Sequence, residues 1–176
     1  MNNLDWNDIK IIFTDCDGVL TNNSIIYDNL DSEIKVFSAR DGLGVKLWQI
    51  SGGMVAIVTG REAHALQRRA DDLHITIVKQ GVSNKLEFVK EILAELKLDF
   101  KNAAYIGDDY NDLPVLDAVR FSATPIDCAE GMSKYVDYVT TKRGGEGAVR
   151  ELIDYILNKQ GKHEKTIQEF IYNLTH

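Results

Sequence analysis

The sequence predicts an α/β fold, a parallel sheet covered by helices on both faces. Three observations predict it. Short β-rich apolar runs alternate along the chain with segments of helical period. One of those runs, Met54-Val55-Ala56-Ile57-Val58, is apolar without interruption, as a strand buried on both sides must be. Acids and hydroxyls gather just past the ends of several runs, and open parallel sheets bind ligands beyond the carboxyl ends of their strands. Strands joined through helices at this spacing need right-handed crossovers, which gives a three-layer, Rossmann-like architecture.

The first strand begins at Ile11 and runs into Asp15-Cys16-Asp17-Gly18-Val19-Leu20-Thr21. On a pleated strand, side chains two apart share a side, so Asp15 and Asp17 can converge on one ligand while Cys16 points away. Taken alone, this stretch is equally well a plain strand-end turn. Asn22 to Phe37 alternates polar and apolar residues (Ile25, Tyr27, Ile34, Val36) around Asp28-Asn29-Leu30-Asp31-Ser32, which predicts a β-hairpin or flap. From Ser38-Ala39-Arg40-Asp41-Gly42-Leu43-Gly44 a helix runs through Ile50 and stops at Gly52-Gly53. The strand at Met54–Val58 then ends in Thr59-Gly60-Arg61.

A helix from about Glu62 to Leu73, a strand at Ile75–Val78 and a turn at Lys79-Gln80-Gly81 repeat the pattern. Ser83 is placed to cap the next helix, whose Leu86, Val89, Ile92, Leu93 and Leu96 form one stripe. The strand Ala103–Ile106 leads to Gly107-Asp108-Asp109-Tyr110-Asn111-Asp112. A helix near Leu113–Val119, small strands at Phe121–Ala123 and Val136–Val139, and a helix from about Glu146 to Asn158 follow. Ile167, Phe170, Ile171 and Leu174 make an apolar stripe in the tail Glu164–His176, which is expected to pack on its own domain or on a neighbour.

With 176 residues the chain can bury a core without staples. A formal net charge of −7 argues against nucleic acid or anionic lipid as the partner, so an anionic substrate must meet a local basic cluster. No apolar run reaches membrane-spanning length, and Met1–Asp5 lacks the basic start and apolar core of a signal peptide, so a cytoplasmic protein with no membrane partner is expected. Cys16 and Cys128 have no metal-ligand spacing and read as reduced thiols, with Cys16 in the central strand.

Asp15, Asp17, Thr59, Asp108, Asp109 and Asp112 all fall just after a buried-looking strand, and Lys85 opens a helix at the same edge. Each has a dull explanation alone: a turn, a cap, a solvated lysine. Jointly, carboxylates from two strand ends make an oxygen-lined pocket suited to Mg²⁺, with a lysine and a hydroxyl beside it for phosphate oxygens.

In these residues the chain resembles the haloacid dehalogenase superfamily of phosphotransferases, whose four motifs occur in order: Asp15-Cys16-Asp17-Gly18-Val19-Leu20-Thr21, Thr59 in Val58-Thr59-Gly60-Arg61, Lys85, and Gly107 through Asp112. The resemblance implies that Asp15 is the nucleophile and forms an aspartyl-phosphate, and that Asp17, kept protonated beside an ionised Asp15, is the acid/base. Asp15, the backbone carbonyl of Asp17 and Asp108 would bind Mg²⁺. Thr59 and Lys85 would hold the phosphoryl group, with Asp109 and Asp112 in support. The gaps from Leu20 to Asp41 and from Thr59 to Lys85 leave no room for an inserted cap domain. Residues 1–162 are then the phosphatase domain, with its hairpin at about 22–37, and 163–176 a helical tail.

Phe37 to Gly44, Gln80-Gly81-Val82-Ser83-Asn84-Lys85, Tyr138-Val139-Thr140 and Gly144 to Glu151 narrow the resemblance to the 3-deoxy-D-manno-octulosonate 8-phosphate (KDO 8-phosphate) phosphatases. That family implies a phosphorylated sugar acid as substrate, a product used in lipopolysaccharide, and a homotetramer built on the hairpins. A substrate with a carboxylate needs further cations, for which Arg40, Arg61, Arg69, Arg143 and Arg150 are candidates, with Gly60 beside Arg61 at the site edge. A nine-carbon sugar acid phosphate is the alternative substrate. A receiver-like phosphoacceptor and an inactive assembly module are the readings from other classes.

Overall fold

The computed structural model describes residues 5–30 and 32–176. Met1–Leu4, part of the stretch read as lacking a leader, and Asp31 of the hairpin turn lie outside them. The strands are β1 (Ile11–Thr14), β2 (Ile26–Tyr27), β3 (Glu33–Ile34), β4 (Met54–Val58), β5 (Ile77–Lys79), β6 (Ala103–Ile106), β7 (Phe121–Thr124) and β8 (Tyr138–Val139). The helices are α1 (Ala39–Ile50), α2 (His64–Asp72), α3 (Lys85–Glu95), α4 (Leu113–Ala118), α5 (Ala148–Lys159) and α6 (His163–Thr175).

Six strands form one sheet in the order β5-β4-β1-β6-β7-β8, and every pairing in it is parallel. The β2–β3 hairpin is a separate antiparallel ribbon, its turn held by the Asp28 carboxylate accepting from the amides of Leu30 and Ser32. Alternation along the central strands divides the interior in two. Ile12, Val55, Ile57, Ala104 and Ile106 face α1, α2 and α5, whereas Ile11, Phe13, Ala56, Val58 and Tyr105 face α3 and α4. The expected three-layer fold with a hairpin and no cap is therefore the observed one.

Four local expectations shift. β1 ends at Thr14, so Cys16 is not a strand residue; it is buried in the turn that follows, and its carbonyl accepts from the amides of Val19, Leu20 and Thr21. β5 starts at Ile77 and includes Lys79, because left-handed His74 first turns Ile75 back under α2, where its amide bonds the Ala70 carbonyl. Asn84 rather than Ser83 caps α3, accepting from the Glu87 amide at 3.2 Å. α5 starts at Ala148, after left-handed Gly147.

α6 packs on its own domain against α1 and α5. Phe170 rests on the core with the Lys46 ammonium 5.5 Å from its ring, and Thr166 is buried. The outer face of the same helix leaves Ile171, Tyr172 and Leu174 exposed.

The α1–α5 seam carries one side of the sheet, and Leu152 lies fully buried within that core. Leu152→Ala should cost about 2–5 kcal/mol in chemical unfolding, because the cavity it leaves cannot close between two packed helices and a sheet. A loss below about 1 kcal/mol would contradict this packing.

Candidate active site

The carboxyl edge of the sheet brings the strand-end acids together. The Asp15 amide donates to Ile106 at 3.0 Å, which carries the β1–β6 ladder one residue past the strand and sets Asp15 beside the loop after β6. Gly18 then turns the chain in the left-handed region, so closely that a Cβ there would overlap the Asp108 carboxylate. The next glycine contact backs it up: a Cβ on Gly144 would strike the Gly18 carbonyl, and the Gly145 amide bonds the Val19 carbonyl at 2.9 Å. Asp127 holds that second loop by accepting from the Gly144 amide at 2.9 Å.

Asp15, Asp108 and Asp112 are all buried, with carboxylate oxygens within 4.8 Å of one another. Lys85, at the first turn of α3 and only 4% exposed, places its ammonium 2.7 Å from Asp15 Oδ2 and 2.7 Å from Asp112 Oδ1. Asp112 is fully engaged. Its Oδ1 also accepts from the Tyr105 hydroxyl at 2.5 Å, and its Oδ2 accepts from the amides of Asp108 and Asp109 at 3.1 and 3.4 Å. Asp15 accepts from the Cys16 amide through Oδ1, while the Asp108 carboxylate accepts no hydrogen bond among the described residues. Asp15 and Asp108 are thus the two carboxylates with capacity to spare for a hard cation.

Burial, followed by the neighbouring Asp112 charge and opposed by Lys85, raises the Asp15 carboxyl to about 6. Burial, then the charges of Asp15, Asp112 and Asp109, raises Asp108 to about 8. Burial works against the Lys85 ammonium, but Asp15 and Asp112 outweigh it and the group is shifted upward.

Asp17 lines the same cleft as Asp15. It is ion-paired through Oδ1 with Lys35, the residue just past β3. Lys35 also contacts Glu33 Oε1 at 2.8 Å, and Glu33 Oε2 holds Arg61 at 2.7 Å. Lys35 and Glu33 were missed in the sequence; the signal available was their two-residue spacing, which puts both on one side of extended chain at the end of the hairpin. Tyr105 was missed as well, because it reads as an ordinary core position of its strand.

The cleft above these groups has a volume of about 140 Å³ and is lined by Asp15, Asp17, Asn23, Thr59, Gly60, Arg61, Asp108, Asp109 and Asn111. Thr59 is pinned by its amide on the Lys79 carbonyl and its carbonyl on the Val82 amide, both at 3.0 Å. The remaining arginines do not line this cleft. Arg69 donates to the Ser38 carbonyl and borders a separate hollow with Lys35, Phe37 and Arg68. Arg143 pairs with Asp127, Arg150 pairs with Asp154, and Arg40 is exposed at the start of α1.

A model of the haloacid dehalogenase-like hydrolase family matches residues 70–153. The 3-deoxy-D-manno-octulosonate 8-phosphate phosphatase KdsC of Escherichia coli K12 is 41% identical over 154 residues, which is 88% of this chain and 82% of that one. KdsC of Yersinia pestis is 42% identical over 156 residues, covering 89% and 83%. Among solved structures, the Moraxella catarrhalis KDO 8-phosphate phosphatase in complex with magnesium, phosphate and KDO superposes with a TM-score of 0.90 at 36% identity, over 94% of this chain and 95% of that one. The cobalt-bound phosphatase of Haemophilus influenzae gives a TM-score of 0.86 at 37% identity, over 90% and 92%.

The raised carboxyls fix the sign of a pH effect. In the metal-free protein they keep protons that an unfolded chain gives up near 3.8. The stability they contribute is complete below that value and is lost as pH rises through about 6 and about 8. With a chelator present, the melting temperature should fall across this window. Added divalent cation should restore it far more at the alkaline end than at the acid end. A chelated protein that melts higher as pH rises there would contradict the assignment.

Proposed function

The chain belongs to the KDO 8-phosphate phosphatase family of the haloacid dehalogenase-like hydrolases, and from that premise we propose that it hydrolyses KDO 8-phosphate to KDO and inorganic phosphate, with Mg²⁺ as cofactor. The observation that carries the proposal is the buried Asp15–Lys85–Asp112 arrangement with Asp108 alongside and Thr59 lining the same cleft.

The donor set fits the cation. Asp15 and Asp108 supply hard oxygens, and we assign the third protein ligand to the backbone carbonyl of Asp17. When bound, Mg²⁺ offsets the repulsion between a carboxylate and a phosphoryl dianion and polarises the phosphorus–oxygen bonds.

Each remaining step belongs to side chains of the chain itself. Lys85, already poised against Asp15, and the Thr59 hydroxyl hold the phosphoryl oxygens and align phosphorus with Asp15. Asp15 attacks phosphorus in line, the bond from phosphorus to the sugar oxygen breaks, and an aspartyl-phosphate forms. The phosphoryl group's negative charge draws a proton into the site, and Asp17 passes it to the departing oxygen. Asp17 then takes a proton from the water that attacks the aspartyl-phosphate, which releases phosphate and restores Asp15. Asp112 keeps Lys85 in place, and Asp109 closes the turn before it by accepting from the Tyr110 amide.

For the sugar-acid carboxylate we assign Arg61, supported by its position on the cleft beside Gly60. Arg40, Arg69, Arg143 and Arg150 receive no contact in their own subunit's cleft. We further propose a cytoplasmic homotetramer assembled through the hairpins. In support, Ile25, Ile26, Tyr27, Leu30, Ile34 and Val36 are all exposed there, an apolar patch that a monomer seldom leaves open. Among the described residues no helix is long and apolar enough to cross a membrane.

A steady-state panel tests the substrate. KDO 8-phosphate should exceed a nine-carbon sugar acid phosphate and simple sugar phosphates in kcat/KM by about tenfold or more, and chelating Mg²⁺ should silence all of them. Equal rates across the panel would leave a phosphatase without this specificity.

A further inference from the structure

Lys35, paired with Asp17 at the edge of the site, has no part in the phosphotransfer steps or in the contact assigned to Arg61. Its side chain is only 1% exposed, although it follows a ribbon whose apolar residues Tyr27, Ile34 and Val36 lie open to solvent. Burying an ammonium with two carboxylates carries a desolvation penalty, and an apolar side chain would fill the same space without it. Packing therefore gives no reason for a lysine at this place.

Its contacts do. Lys35 occupies Asp17 Oδ1 and Glu33 Oε1, while Asp17 Oδ2 stays buried without a hydrogen-bond partner, 3.8 Å from Arg61 Nε. A carboxylate held by one oxygen can turn only so that the other sweeps a narrow arc, and Asp17 lines the cleft. Glu33, on the same ribbon, fixes Arg61 at 2.7 Å. We propose that Lys35 is a positioning residue that holds Asp17 with Oδ2 presented to the departing sugar oxygen, which makes the β-hairpin part of the catalytic apparatus as well as a surface. The inference rests on the reading of Asp17 as the proton carrier.

The test compares KDO 8-phosphate, whose sugar oxygen must be protonated as it leaves, with p-nitrophenyl phosphate, whose phenolate leaves without a proton. In the full-length protein, Lys35→Met should lower the ratio of sugar-phosphate to aryl-phosphate kcat/KM, which reports departure of the leaving group and not the shared hydrolysis of the aspartyl-phosphate, by about 10²-fold. Lys35→Arg, which keeps the charge but displaces the donor, should lower the ratio by about three- to tenfold, and it serves where Lys35→Met does not fold. Asp17→Asn should show the same split as Lys35→Met or a larger one. If Asp17→Asn splits the two substrates while both Lys35 variants leave the ratio unchanged, Lys35 does not position Asp17 and the inference falls alone. If Asp17→Asn lowers kcat/KM equally for both substrates, the role of Asp17 toward the leaving group falls and the inference with it.

Discussion

The rest of the structure depends on the crowding of three buried carboxylates at one sheet edge. With oxygens within 4.8 Å of one another, Asp15, Asp108 and Asp112 would repel by roughly 3 kcal/mol per pair at an effective dielectric near 20 if all were ionised. Three such pairs approach the whole stability of an ordinary domain. The fold answers in two ways: Lys85 sits between Asp15 and Asp112, and Asp15 and Asp108 hold protons well above the usual carboxylate range. A bound divalent cation answers the same need without the protons. The site is therefore built to be completed by positive charge, first by a metal ion and then by the arrangement that receives a phosphoryl group.

Backbone geometry sets the distances on which that balance depends. Gly18 lies against the Asp108 carboxylate and Gly144 against the Gly18 carbonyl, so the loops after β1, β6 and β8 close on one another at glycines that leave room for that one side chain. The Asp41 carboxylate, buried on α1, ties the third loop to the core by accepting from the amides of Gly147 at 3.2 Å and Arg150 at 2.8 Å. Packing of α1 on α5 thus reaches the catalytic turn through two glycines and an aspartate. Burial holds the Asp41 carboxyl above its ordinary range even against these amide bonds, a cost that suits a group kept for position.

Much of this was legible in the chain because it is local. A strand ending in Asp-x-Asp-Gly, another in Thr-Gly and a third in Gly-Asp-Asp place their polar residues by register alone, and parallel topology brings the strand ends to one edge. What escaped depends on contacts between distant segments. Lys35 is 18 residues from Asp17, and only the folded hairpin brings them together. Tyr105 carries the pattern of a core strand residue, yet its hydroxyl reaches Asp112. The cap of α3 moved from Ser83 to Asn84 because the helix starts one residue later, with Lys85 in its first turn, where its ammonium reaches both aspartates. α6 showed its apolar stripe, but a stripe does not say what it will meet; Phe170 packs on the core of the same chain as α6 meets α1 and α5, while Ile171 and Leu174 stay exposed.

The central claim is that this crowding makes Asp15 the phosphoryl acceptor. Rapid mixing of the enzyme with KDO 8-phosphate and Mg²⁺, an acid quench within the first turnover, and mass spectrometry of the digested chain test it most directly. The account predicts a phosphoryl adduct on the peptide that carries Asp15, localised to that residue and absent after a chase with water in excess of the turnover time. An adduct on any other residue, or product formed in the first turnover with no adduct at all, would contradict it.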